Sequence, residues 1–233
     1  MSSIISNEFN WPIFCDTELD IGYLPIPKAA NTSIMNALFH LKPERIQKDR
    51  LNNIPKEIID VSLSNPARVH LYSKYMFDNI INKSKVDKQF IFTCVRNPIS
   101  RFVSFYRDKI LRWDPYIHDK MVSLNFQKDM TVDECIENLL SIQDKTSLDQ
   151  HIIPMSVLLY HKNKLIPDYI MKMESLNRDF EYLNKLLNTD MELSFENSSD
   201  NQKVKKIILN SEQEQKLEQY YEDDMFLFNF TNK

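Results

Sequence analysis

The sequence predicts an α/β fold in which a parallel sheet is flanked by helices. Three observations lead there. Short apolar, β-rich runs alternate with segments of helical periodicity, the pattern of strand–helix units. Two of these runs, residues 21–26 and 89–95, end on basic residues that lead into a helix. No repeat, low-complexity tract or clear linker divides the chain, so residues 1–233 are expected to form one domain.

Ile21 to Ile26 reads as a buried strand, and Thr32 to Leu41 as the helix after it. Residues 42–65 are polar and broken by Pro43 and Pro55, with room for one short helix. Val69 to Tyr72 reads as a short strand and Ser73 to Ile81 as a helix. Gln89 to Val95 is the clearest strand and Pro98 to Trp113 the clearest helix. Pro98 suits a first helical turn, where its missing N–H costs nothing. Ile99, Phe102, Val103, Tyr106 and Ile110 then form an apolar stripe at helical spacing. Thr131-Val132-Asp133-Glu134 has capping-box spacing and opens a helix to Leu140. Tyr169 to Met173 reads as a strand and Ser175 to Leu187 as a helix. Ser211-Glu212-Gln213-Glu214 is a second capping box, opening a last helix toward Phe228.

Composition narrows the function. At 42% hydrophobic and 27% charged, the chain is ordinary for a water-soluble protein. Its net charge of −4 argues against a nucleic-acid partner. The basic residues Arg96, Arg101, Arg107, Lys109 and Arg112 are nonetheless close in sequence, which suits a local cleft for a small anion. Of these, Arg107, Lys109 and Arg112 read as a solvated helix face. Cys15, Cys94 and Cys135 have no metal-ligand spacing, and Cys94 reads as a buried free thiol, favouring a reducing compartment. The five histidines are scattered, so no metal site is expected. No apolar run reaches membrane-spanning length, and the first thirty residues carry no signal-peptide pattern.

The segment Tyr23-Leu24-Pro25-Ile26-Pro27-Lys28-Ala29-Ala30-Asn31-Thr32-Ser33 has the makings of a phosphate cradle. A helix N-terminus offers unpaired N–H groups and partial positive charge to an anion. Small side chains let the anion approach the backbone, hydroxyls add donors, and Lys28 adds a mobile charge. A second strand-to-basic-turn segment, Phe90-Ile91-Phe92-Thr93-Cys94-Val95-Arg96-Asn97-Pro98, suggests a ligand with phosphates at both ends. The first loop is not a Walker A motif, which needs loop glycines and G-K-[ST]; the one glycine, Gly22, lies upstream.

The loop resembles the 5′-phosphosulfate loop of sulfotransferases that use 3′-phosphoadenosine 5′-phosphosulfate (PAPS). In the carbohydrate branch of chondroitin, HNK-1 and heparan 2-O-sulfotransferases it reads roughly P-K-x-A-x-T, which Pro27 to Thr32 fits. Val95-Arg96-Asn97-Pro98-Ile99-Ser100-Arg101-Phe102-Val103-Ser104-Phe105-Tyr106 is similar to the family's 3′-phosphate motif. Asp168 to Leu176 resembles its later D-x-I-x-K-x-E-x-L segment, and Tyr221 to Phe230 its terminal Y-x-x-D-x-x-x-F-x-[YF] pattern. The resemblance implies a P-loop-type sulfotransferase fold, PAPS as donor with its bisphosphate product PAP, and a glycan or glycolipid acceptor. It implies that Lys28, Ala29, Ala30, Asn31, Thr32 and Ser33 hold the 5′ end, and that Arg96 and Ser104, with Arg101, hold the 3′ phosphate. The expected transfer is in line and metal-independent, with Lys28 stabilising the leaving phosphate. Animal relatives are typically Golgi proteins with an N-terminal anchor, whereas this chain starts almost directly at the catalytic segment. The expectation is a bacterial cytoplasmic enzyme, or one peripheral at the membrane where the glycan is assembled, the alternative being a chain whose anchor has been removed.

A hydroxyl acceptor needs a base. His70 ranks first, because heparan 2-O-sulfotransferase-like enzymes place a histidine between the two cofactor motifs. His151, in Asp149-Gln150-His151-Ile152-Ile153-Pro154, resembles the D-x-H-x-x-P of chondroitin-type relatives and ranks second. His40 reads as a helix C-terminal dipole partner. A Glu or Asp base stays open. Trp11, Trp113 and Tyr116 are candidates to stack on an adenine or a sugar. The rival readings are an atypical P-loop kinase using Mg-ATP and a cofactor-binding module without turnover.

Overall fold

The computed structural model describes residues 13–16, 20–40, 78–79, 90–113, 118–161, 164–193 and 207–230. His70, Trp11, Tyr116 and the segments expected at 42–65 and 69–72 lie outside them. A five-stranded sheet runs in the order β3-β1-β2-β4-β7, with β1 Phe14–Asp16, β2 Ile21–Leu24, β3 Asp78–Asn79, β4 Phe90–Val95 and β7 Tyr169–Lys172. The centre, β2-β4-β7, is parallel as expected. β1 is antiparallel to both its neighbours, so the sheet is mixed at one side. Asp78 and Asn79 fall within the helix expected at 73–81; pairing with Cys15 and Phe14 places them on the sheet edge instead. A separate hairpin joins β5 Tyr160–His161 to β6 Lys164–Leu165.

Alternation along the strands dictates the two layers. In β4, Ile91 and Val95 face one core with Leu24, while Phe92 and Cys94 face the other with Tyr23 and Met171. Helix α1, Asn31–His40, covers the second face with Ile34, Met35 and Leu38, beside Phe180 and Leu183 of a later helix. The first face receives Phe102 and Phe105 of α2, Pro98–Phe105. After α2 come α3 His118–Ser123, α4 Val132–Ser141, α5 Met155–Leu159, α6 Leu176–Leu187, α7 Ser211–Tyr220 and α8 Glu222–Leu227. Phe180 and Leu183 belong to α6, whereas α4, α5 and α7 pack on the α2 side. Cys94 is a buried free thiol, as its apolar run predicts, and burial pushes it well above its ordinary pKa. Among the described residues, no helix is long and apolar enough to cross a membrane.

Register brings the functional loops together. Leu24 sits beside Thr93, and Val95 beside Lys172, so the turns after β2, β4 and β7 emerge at one end of the sheet. Thr93 Oγ1 donates to the Leu24 carbonyl at 2.7 Å, pinning the ends of β2 and β4.

Two helix ends and one cap differ from expectation. The helix from Pro98 turns into a π-helical segment at Tyr106–Leu111 and ends before Trp113, whose φ of 52° is left-handed. The capping box of α4 forms on Thr131 as predicted. That of α7 shifts by one residue: Asn210 caps it, exchanging hydrogen bonds with Gln213 at 2.9 Å each way. Gln213 also donates to Asp133 at 2.7 Å, and this tie to α4 fixes the box at Asn210. The last helix breaks at Tyr221 into α7 and α8. Asn210→Ala is expected to cost about 1 kcal/mol in urea unfolding, and Ser211→Ala only a few tenths.

Candidate active site

The turn after β2 is built by proline and strain in place of glycine. Ala29 N–H donates to the Ile26 carbonyl at 3.2 Å, closing a β-turn with Pro27 second and Lys28 third. Lys28 has φ 69°, the positive value a type II turn needs at that position. Ala30 also has φ 55°, and its carbonyl accepts from Ile34 N–H at 3.1 Å to start α1. Two left-handed non-glycine residues cost about 1–2 kcal/mol each and mark a shape imposed by the surroundings. The N–H groups of Asn31, Thr32 and Ser33 open α1, where the helix itself offers them no acceptor. Tyr23 Oη holds Asn31 through its Oδ1 at 3.2 Å. Ala29 is buried, so it contributes shape rather than an exposed contact.

The turn after β4 locks onto that loop. Arg96 Nη1 donates to the Lys28 carbonyl at 3.1 Å. Burial lowers Arg96 below its ordinary pKa, with Glu174 opposing and Arg107 and Arg101 adding to the fall. Asn97 caps α2 by accepting from Ser100 N–H at 3.1 Å, and its own N–H donates to Glu174 at 2.8 Å. Ser104 is buried in α2.

Arg101 is placed differently from a phosphate ligand open to the cleft. Its side chain is 1% exposed, and all three nitrogens donate to backbone carbonyls. Nε reaches Pro27 at 3.1 Å, Nη1 reaches Ile153 at 2.7 Å and Nη2 reaches Gln150 at 2.9 Å. One guanidinium thus ties the Lys28 loop to the loop of His151.

That second loop is held from several sides. Ile152 and Ile153 N–H groups bond the Asp149 carbonyl at 3.0 and 2.9 Å. Tyr221 Oη donates to the Ile152 carbonyl at 2.7 Å. Asp224, fully buried, accepts the first N–H groups of α5, Met155 and Ser156, at 2.7 Å each. His151 Nδ1 lies 2.5 Å from Asp149 Oδ1. The carboxylate can only accept, so Nδ1 carries the proton and Nε2 keeps its lone pair in the neutral ring. Burial holds His151 below its ordinary pKa; Asp149 opposes, while Lys109 and Lys28 add to the decrease. For Asp149, burial raises the pKa, but His151 outweighs it and keeps the group ionised. An oriented, neutral imidazole beside two ammonium groups can take a proton from a hydroxyl.

Lys28 is paired with Asp108. The same carboxylate oxygen, Oδ2, lies 3.6 Å from Lys109 Nζ, and Oδ1 lies 3.4 Å from Arg112 Nη1. Burial lowers Lys28 below its ordinary pKa, with Asp108 opposing and Lys109 and Arg107 adding to the decrease. Burial raises Asp108, but Lys28, Lys109 and Arg112 overcome it and hold the carboxyl at about 2. Asp108 therefore stays ionised at neutral pH.

The structure brings Lys28, Ala29, Ala30, Asn31, Thr32, Ser33, Arg96, Arg101 and His151 to one end of the sheet, with Ser104 in the helix rising from it. His40 ends α1. Sequence reasoning misses Asp108 and assigns Lys109 to a solvated face, whereas it is buried. Asp108 and Arg112, at i and i+4, look like a surface pair in any helix, whereas here Asp108 lies in the π-helical turn and pairs with Lys28. Asp149 is legible beside His151, whereas the roles of Tyr221 and Asp224 have no signal beyond the terminal motif.

The parallel centre of the sheet thus gathers cations and an Asp–His pair at one end of its strands. The chain belongs to the sulfotransferase family, whose sequence model matches residues 11–231, nearly its whole length. That membership supports sulfotransfer in general. No curated protein and no solved structure matches the chain.

The lowered His151 pKa has a stability consequence. As pH falls below about 6.5, the unfolded chain binds the proton first, so stability drops until the folded value is reached. His151→Gln is expected to flatten that decline in urea unfolding compared between about pH 7.5 and about pH 5.5.

Proposed function

We propose that this chain, acting as one domain over residues 1–233, transfers a sulfuryl group from PAPS to a hydroxyl of a glycan or glycolipid. The observation carrying this reading is the Arg101 bridge, which puts a phosphate-type loop and an oriented base on one support. The residues fit the donor. Two left-handed positions open the Lys28 loop toward the start of α1, small and hydroxyl side chains line it, and Arg96 closes one side. Asn31, Thr32 and Ser33 with Lys28 would hold the 5′ end through backbone, hydroxyl and ammonium donors, while Ala29 and Ala30 give the loop its shape. Arg96 and Ser104 would hold the 3′ phosphate. Arg101 acts here as a positioning residue, since its nitrogens are spent on carbonyls.

PAPS supplies an activated sulfuryl group on a phosphate leaving group. Lys28 stabilises negative charge on that leaving side. His151 Nε2 accepts the acceptor's hydroxyl proton, and Asp149 holds the ring and stabilises its charged form. His70 lies outside the described residues and stays a candidate base; among the described residues, the Asp149-oriented ring of His151 supports that role. The loop lacks the glycines of Mg-ATP kinases.

A thermal-shift titration tests the donor. PAP is expected to stabilise the wild type by about 2.7 kcal/mol at a hundredfold its Kd, with no comparable effect of ADP or Mg-ATP. Arg96→Ala is expected to abolish the shift. Equal stabilisation by ATP would favour the kinase reading, and no shift at all would remove the reading's main support. The base is tested with radiolabelled PAPS and a panel of glycan acceptors. His151→Ala is expected to lower turnover about 10²–10⁴-fold with PAP binding intact. Binding without turnover in the wild type would indicate the inactive module.

A further inference from the structure

The Asp108 carboxylate is a meeting point for cations. Lys28 and Lys109 share its Oδ2 oxygen and Arg112 meets Oδ1, so three cations converge on one anion. Lys109 is 7% exposed, so its ammonium is held out of bulk water and close to that of Lys28. The π-helical turn Tyr106–Leu111 creates this arrangement by widening the helix where Asp108 and Lys109 sit; such turns recur at functional sites. A carboxylate oxygen flanked by two lysines also occupies a position that suits a phosphate or sulfate oxygen, which uses the same donors.

We propose that Asp108 is a built-in competitor for the phosphosulfate end of the donor, and that Lys109 ligates the sulfuryl oxygens of that end while Lys28 holds its phosphate. This inference rests on the donor reading above. In the free chain Asp108 draws both ammonium groups toward one carboxylate oxygen. A donor binds there by taking them over from Asp108, which retains Arg112. The site thereby discriminates against weakly charged ligands that cannot displace a carboxylate.

Two variants decide it by calorimetric titration with PAPS and with PAP. Asp108→Asn removes the competitor and is expected to tighten both nucleotides by about tenfold or more. Lys109→Met is expected to weaken PAPS by about tenfold while leaving PAP unchanged, because PAP lacks the sulfuryl oxygens. Unchanged or weaker binding to a folded Asp108→Asn overturns the competitor role. Equal effects of Lys109→Met on both nucleotides overturn the second-ligand role. Should Asp108→Asn fail to fold, Asp108→Ser, which also removes the carboxylate, repeats the competitor test, and Lys109→Met tests the second-ligand role. A wild type that binds neither nucleotide overturns the donor reading itself, whereas wild-type binding with unaltered variants overturns only this inference.

Discussion

The buried guanidinium of Arg101 is the constraint on which the site depends. Removing such a group from water costs several kcal/mol, and carbonyl oxygens together with nearby acids must offset that cost. Burial lowers its pKa, while Tyr221, Asp224 and Asp149 oppose the decrease. Both of those carboxylates also organise backbone or side chain nearby, since Asp149 orients His151 and Asp224 caps α5. The charge that stabilises Arg101 is thus the charge that builds the His151 loop. Neither loop can shift without breaking bonds to the same side chain.

The positions of α7 and α8 follow from this. Tyr221 and Asp224 reach loop residues far earlier in sequence, and the break between the two helices places them there. Asp224 is held above its ordinary pKa by burial, against the pull of the Ser156 and Met155 donors and of Arg101. A buried carboxyl of this kind is tolerated where two short N–H bonds satisfy it. Residues 221–224 are therefore a structural part of the site, consistent with a family match that extends to residue 231.

The Lys28 loop takes its left-handed turn without glycine. Pro27 fixes one dihedral, and the bonds from Arg96 and Arg101 to the carbonyls of Lys28 and Pro27 hold the strained turn from outside. Strain of this kind persists only where surrounding contacts over-determine the backbone. The cations around the loop also set its field, which holds the Asp108 carboxyl down and adds to the burial that lowers His151.

By itself the sequence determined the parallel centre of the sheet, the α4 cap, the strand-to-turn placement of Lys28 and Arg96, and the family. These are local or periodic properties: the apolar run of Phe90 to Val95, Thr131 three residues before Glu134, and Pro27-Lys28 ahead of small residues. Only the tertiary structure decided what Arg101, Asp108, Lys109, Tyr221 and Asp224 do, because each acts on residues distant in the chain or through an irregular helical turn. It also placed the α7 cap on Asn210, whose partner Gln213 reaches Asp133 of α4. Hydrogen bonds across dozens of residues leave no spacing to read; their physical cause is burial, which assigns partners once the chain has folded.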